Sequence, residues 1–194
     1  LHLSLRRQRQ MCIRDRNNGD KDTQKSGISA IICYICVLFK NIQFFLILMK
    51  ELLSLLKRFF GYTSFRPLQA EIIQRTLQKE DSLVLMPTGG GKSICFQLPA
   101  IYMPGTAIVV SPLIALMKDQ VEGLIANGIP AATLNSMMPE EERHRVRQLC
   151  IQGKVKLLYI SPEGIISELH WLLPRIDISL IAIDEAPVSY THLT

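Results

Sequence analysis

The chain has no disulfide framework. Its five cysteines are an odd, scattered set without regular spacing. Cys33 and Cys36 form a CxxC, but they lie inside the apolar run ICYICVLF. A redox or zinc centre needs a turn there and a second pair of ligands, so these two read as small hydrophobes. The four histidines are dispersed with no ligand spacing, and no zinc site is expected. Internal repeats are lacking as well, which excludes a stacked array.

An excess of charge is also missing where it would suggest a nucleic-acid surface. The net charge is +5, but residues 1–48 hold eight Lys/Arg against three Asp/Glu, and residues 49–194 hold fourteen of each. The basic balance belongs to the head alone and says nothing about the remainder. Nor is there a long unbroken apolar run. Residues 27–49 (GISAIICYICVLFKNIQFFLILM) approach the ~20 residues of a membrane span, yet Lys40, Asn41 and Gln43 interrupt them. A central Lys costs ~2.5–3.5 kcal/mol on insertion, so a membrane anchor is the lesser reading. No small-residue cleavage site follows, which argues against a signal peptide.

The head differs from the body. Residues 1–26 are polar and basic with no period, and are expected to be disordered. Met49 is followed by KELLSLLKRFFGY, a helical pattern that looks like a natural start. The division expected is a disordered or non-native head over 1–48, a working domain over 49–186 and a foreign tail over 187–194. The pieces MCIRDR and VSYTHLT resemble translated sequencing-adapter read-through and would account for both ends.

What is present begins at Leu53. LKRFFGYTSFRPLQAEIIQRTLQ predicts two short helices broken at Gly61 and Pro67. Short apolar runs follow at 82–86 (SLVLM), 106–110 (TAIVV), 131–134 (AATL), 156–160 (KLLYI) and 180–183 (LIAI), with amphipathic stretches between. That alternation predicts an α/β fold, a buried parallel sheet with helices on both faces. Pro139 followed by Glu140, Glu141 and Glu142 suits a helix start, where acids meet the dipole.

The stretch SLVLMPTGGGKSICFQ (82–97) carries the chemistry. A strand ending at Met86, a turn through Thr88, Gly89, Gly90 and Gly91, and a helix opening at Lys92-Ser93 form a phosphate loop. Backbone N–H groups there converge on an anion at a helix N-terminus. The glycines remove Cβ atoms that would block the approach. Lys92 places a charge on the β- and γ-phosphates, and Ser93 offers a hydroxyl to Mg²⁺. The strict pattern wants Gly where this chain has Met86. In LIAIDEA, Asp184 at the end of an apolar strand fits a carboxylate that holds Mg²⁺, and Glu185 fits a group that orients and deprotonates water. Asp184 is expected beside Ser93, with the 82–86 and 180–183 strands near each other.

With these motifs in order, the body from about Leu53 to Ala186 resembles the N-terminal motor lobe of RecQ-family DNA helicases, a RecA-like P-loop lobe of superfamily 2. FGYTSFRPLQAEII (60–73) is similar to the family's adenine motif. The resemblance implies that Tyr62 stacks on the base, Gln69 reads its edge and Arg66 supports the pocket. A Gln amide offers both donor and acceptor to adenine, which favours ATP over GTP. MPTGGGKS, with its Met86, is the family's own form of the loop. SPLIALMKDQV (111–121) resembles the motif beside single-stranded DNA, and LNS (134–136) and LLYISPE (157–163) are family-like.

The family continues its acidic motif as DEAH, followed by an aromatic-rich coupling loop. Here DEA runs into PVSYTHLT. The resemblance therefore implies a fragment of a 3′–5′ ATP-dependent DNA helicase of repair and recombination, incomplete at the C-terminus. Such a fragment is expected to bind ATP and Mg²⁺ but not to unwind DNA. The implied location is cytoplasmic in a bacterium and nuclear in a eukaryote. Other readings stay open: a DEAD-box RNA remodeller, disfavoured by Ser93 and by SPLIALMKDQ, and a membrane-tethered nucleotide-binding protein.

Overall fold

The computed structural model describes residues 23–87 and 89–185. The expectations placed on residues 1–22, on Thr88 and on the 187–194 tail lie outside these. The chain divides into two compact units between Lys50 and Glu51.

The first helix, α1, spans Thr23–Phe60. It corrects two expectations: residues 23–26 are helical, and the segment before Gly61 is the end of a long helix and not a short one. The Gly27–Met49 run has the composition to propagate a helix, and neither Gly nor Pro interrupts it after Gly27. The helix stops where the sequence says it should. Gly61 takes a left-handed φ of 75° and donates its N–H to the Lys57 carbonyl at 3.1 Å, with Lys57 and Arg58 in the last turn. Among the described residues no helix is long and apolar enough to cross a membrane.

In the second unit, Leu52 and Leu56 lie four apart on α1, and both are fully buried. Then follow α2 (Gln69–Leu77), α3 (Lys92–Tyr102), β1 (Thr106–Val110), α4 (Ile114–Ala126), β2 (Ala131–Leu134), α5 (Glu140–Ile151), β3 (Leu157–Ile160), α6 (Pro162–Glu168) and β4 (Ile178–Ile183). Pro139 is the residue that caps α5, and three glutamates occupy its first turn. The strands form one parallel sheet in the order β2-β3-β1-β4. In register, Val109 stands between Tyr159 and Ala182.

Because side chains alternate along a strand, the sheet has two cores. Ala107, Val109, Leu157 and Tyr159 pack with Ala100 of α3 and Met117, Val121 and Leu124 of α4. Ile108, Val110, Leu158 and Ile160 pack with Val146 and Cys150 of α5 and with Leu172. Helices thus cover both faces of β1 and β3, but the edge strand β4 departs from the buried strand expected: Ile181 and Ile183 are 57% and 56% exposed, because among the described residues nothing packs on that face.

The 82–86 run is not a strand, contrary to expectation. Residues 81–87 make no ladder, and Leu83 and Leu85 are 85% and 83% exposed. The segment runs beside Leu68, Glu71, Ile72 and Arg75 and bounds an open hollow. Val84 and Met86 are half-buried, so the two-residue alternation is present with one face covered. An apolar run becomes a central strand only where hydrogen-bonding neighbours flank it. Among the described residues β4 pairs with β1 alone, and 82–86 is not on its other edge.

Candidate functional site

The carboxyl ends of the parallel strands converge where open α/β sheets hold ligands. Asp184 directly follows β4, and its N–H extends the ladder by donating to the Val110 carbonyl at 2.8 Å. Its Oδ1 accepts from the Glu185 N–H at 3.1 Å. Glu185 takes a left-handed φ of 52°, unusual for a residue with a Cβ. The turn brings Glu185 Oε1 within 3.9 Å of Lys92 Nζ. Burial pushes the Asp184 carboxyl above its ordinary range and the Glu185 charge adds to this, while the Glu185 N–H and Lys92 pull it down. A carboxylate so desolvated gains from a cation beside it.

The loop itself is shaped by glycine. Gly91 caps α3 with φ 82°, and Lys92 and Ser93 form the first turn without any side-chain cap. The Lys92 and Ser93 N–H groups therefore remain available to an anion, while that of Ile94 donates to the Gly91 carbonyl at 3.2 Å. A Cβ on Gly91 would stand 2.5 Å from Gln69 Nε2, and one on Gly90 would stand 2.9 Å from the Pro87 carbonyl. Gly89, with φ 78°, has open space around it.

Arg66 and Gln69 grip this loop. The Arg66 guanidinium donates to the Gly89 carbonyl. Gln69, 4% exposed, accepts from the Arg66 N–H at 2.8 Å and donates to the Gly91 carbonyl at 3.0 Å. Both ends of the Gln69 amide are thus engaged with backbone, leaving one N–H and one lone pair for any further partner. Leu68, with φ 70°, makes the bend that aims Gln69 at the loop.

One cavity of about 570 Å³ gathers these groups. Its wall includes Tyr62, Arg66, Gln69, Gly89, Gly91, Lys92, Ser93, Asp184 and Glu185. The structure brings together every site residue expected from the sequence except Gly90, which does not line the cavity, and Thr88, which lies outside the described residues. Six further residues line it without having been expected as site residues: Phe60, Ser64, Ile94, Leu116 and Gln120, which lie within the quoted motifs, and Asn127, which lies outside them. Gln120 and Asn127 come from α4 and its C-terminal end, and only packing of that helix on the sheet puts them here. Among the described residues no group of three His, Cys, Asp or Glu side chains could hold a metal by itself.

Comparison with known proteins places the chain in a family. The ATP-dependent DNA helicase RecQ of Pasteurella multocida is 48% identical over 135 residues, which are 69% of this chain and 21% of that protein. The enzyme of the same name from Bacillus subtilis is 47% identical over 135 residues, 23% of its length. The chain thus spans about a fifth of the length of these curated relatives. The crystal structure of a hypothetical ATP-dependent RNA helicase from Sulfolobus tokodaii superposes with a TM-score of 0.58 at 20% identity, over 73% of this chain and 43% of that one. At that identity the likeness speaks for the fold, a RecA-like α/β lobe. The DEAD/DEAH box helicase family matches residues 66–189, well over half of the sequence and all of the cavity wall from Arg66 onward, and the chain belongs to that family.

Proposed function

We propose that this chain is the ATP-binding part of an ATP-dependent DNA helicase of repair and recombination, acting 3′ to 5′. The observation that carries the reading is the single cavity in which an aromatic ring, a Gln-Arg pair, a glycine loop with Lys92 and Ser93, and the Asp184-Glu185 pair meet. DNA is favoured over RNA by RecQ DNA helicases at 47–49% identity and by the Ser93 and SPLIALMKDQ forms of the motifs. The site of action would be wherever the chromosomal DNA lies.

The residues fit Mg²⁺-ATP on two counts. The glycine loop opens a helix whose first turn has no side-chain cap, a seat for phosphate, and the hard oxygen donors of Ser93 and Asp184 suit a small divalent cation. Bound Mg²⁺ would neutralise phosphate charge. Lys92 holds the β- and γ-phosphates, Ser93 and Asp184 hold the cation's side of the site, and Tyr62 covers the base. Gln69 favours adenine through the N–H and lone pair its loop contacts leave open. Glu185, poised by its turn and paired at 3.9 Å with Lys92, orients a water and accepts its proton.

Ground-state binding is what these groups supply. Arg66 is committed to the Gly89 carbonyl, which leaves Lys92 to meet charge developing on the γ-phosphate. In P-loop enzymes an additional arginine at that point is worth about 10³–10⁵ in rate. The chain should therefore bind Mg²⁺-ATP measurably, hydrolyse it hardly at all and not unwind DNA. Titration with a fluorescent ATP analogue, beside phosphate release with and without single-stranded DNA, tests this. Strong DNA-stimulated turnover by residues 49–186 would refute the division of labour, and absence of nucleotide binding would refute the site.

A further inference from the structure

Two buried polar side chains meet a third, half-buried one at the floor of the cavity. Gln97 of α3 is 4% exposed, and Tyr159 of β3 is 1% exposed. Gln97 Nε2 donates to Gln120 Oε1 on α4 and to the Tyr159 hydroxyl, each at 2.9 Å. Around them lie Ala100, Val109, Met117, Val121 and Leu157. Burying such groups is costly unless each is satisfied, so a core that could be wholly apolar here keeps its polar members for a reason.

Direction matters in this cluster. An amide NH₂ that gives both its hydrogens obliges both partners to accept. Gln120 therefore turns its carbonyl inward, and its own NH₂ faces the other way, where its side chain lines the cavity. Among the described residues that NH₂ makes no hydrogen bond. Tyr159, accepting from Gln97, keeps its proton for the other side. It stands in the row Tyr159-Val109-Ala182, and Asp184 lies two residues beyond Ala182, on the same side of the sheet. Tyr159 is buried and stays behind the wall, so Gln120 is the member of this cluster that reaches the cavity, and what it offers there is a donor.

We infer that Gln97 is a positioning residue. From the helix that opens with the phosphate loop, it sets the polarity of a buried relay, so that Gln120 presents its amide N–H groups to the anionic nucleotide. This rests on the nucleotide reading of the cavity and adds Gln120 as a contact and Gln97 as the residue that orients it.

The test reads nucleotide affinity and thermal stability together, on the full chain, with a fluorescent ATP analogue and Mg²⁺. Gln97→Glu keeps the shape but replaces the donor by an acceptor, which turns the Gln120 NH₂ inward. Gln120→Glu keeps the acceptor that Gln97 needs but puts an anion where the outward donor stood. Each should weaken binding by about 10-fold or more, the scale of a lost hydrogen bond to a charged group. In the double variant Gln97→Glu/Gln120→Met, the loss should not exceed that of Gln120→Met alone, because the donor being oriented is already gone. Cys150→Ala, in the core on the opposite sheet face, should lower the melting temperature and leave affinity alone, which separates loss of packing from loss of orientation. Wild-type affinity in Gln97→Glu, or losses that simply add, would overturn the relay while leaving the nucleotide site standing. If the unaltered chain binds no Mg²⁺-ATP analogue, the nucleotide reading fails and the relay falls with it.

Discussion

At the scale of the residue, Lys92, Gln69 and Gly91 show how differently neighbours in one cavity respond to change. Lys92 is half-exposed and its contact with Glu185 is 3.9 Å long, so the pair adds little to folding. Lys92→Ala should weaken ATP-analogue binding about 10-fold or more by removing a charge-assisted contact, with the melting temperature nearly unmoved. Glu185→Gln should leave that affinity within about threefold, since it removes no proposed phosphate contact. Gly91→Ala is a different case. The left-handed φ of 82° and the 2.5 Å approach to Gln69 Nε2 penalise it twice, and a loss of about 1–3 kcal/mol in urea unfolding is expected, together with weaker binding. Retention of wild-type stability in Gly91→Ala would mean that the Gln69 clamp is not formed in solution.

At the scale of the element, α5 and α6 are tied by a charge pair taken out of water. Arg147 donates to Glu168 Oε1 through Nε at 2.9 Å and through Nη2 at 2.6 Å, with Glu168 3% exposed. The Arg147 guanidinium also lies 5.7 Å from the Trp171 ring centre. Glu168→Ala removes both of these hydrogen bonds but leaves Arg147 its contact with Glu140 Oε1 at 2.7 Å, so the cost should be about 1.5–3 kcal/mol, the scale of hydrogen bonds to a charged group. Chemical denaturation measures it, and a cost below about 1 kcal/mol would show the pair to be solvated. The 82–86 segment predicts the opposite outcome. Leu83→Ser and Leu85→Ser remove side chains that are already exposed, and stability should change by no more than about 0.5 kcal/mol. A loss of about 2 kcal/mol or more, the scale of a buried leucine, would place these residues in a core.

At the scale of the whole molecule, stability should fall in alkali. Burial pushes the Cys150 thiol from its ordinary 9.0 up to about 12, and Tyr159 from 10.0 up to about 12. The unfolded chain releases these protons near pH 9 and 10, whereas the folded one keeps them. Their contribution is complete below pH 9 and is lost as pH rises from there toward 12. Urea midpoints measured from pH 8 to pH 11 should decline over that range, and the decline should shrink in Cys150→Ala. The cavity wall is drawn entirely from residues 60–185, so deletion of residues 1–48 should leave ATP-analogue affinity unchanged.

Much of this molecule was legible in the linear order of its residues. Four of the five apolar runs became strands; β1 and β3 are buried on both faces, as their continuous apolar side chains suggest, whereas β4 leaves Ile181 and Ile183 exposed. Gly61, the GGGKS turn and the acids after LIAI marked a helix end, a loop and a strand end through local stereochemistry that needs no distant partner. Other features depended on distance. Only the order β2-β3-β1-β4 brings Asp184 beside a loop some ninety residues earlier. Gln97, Gln120 and Tyr159 each lie in a stretch the sequence singles out, but nothing in those stretches says that the three side chains touch; they meet because three separate elements pack on one sheet face. The 82–86 run shows the limit most plainly. Its composition specifies apolar alternation, but a strand also needs a neighbour's hydrogen bonds, and that requirement is met or not met by the tertiary structure alone.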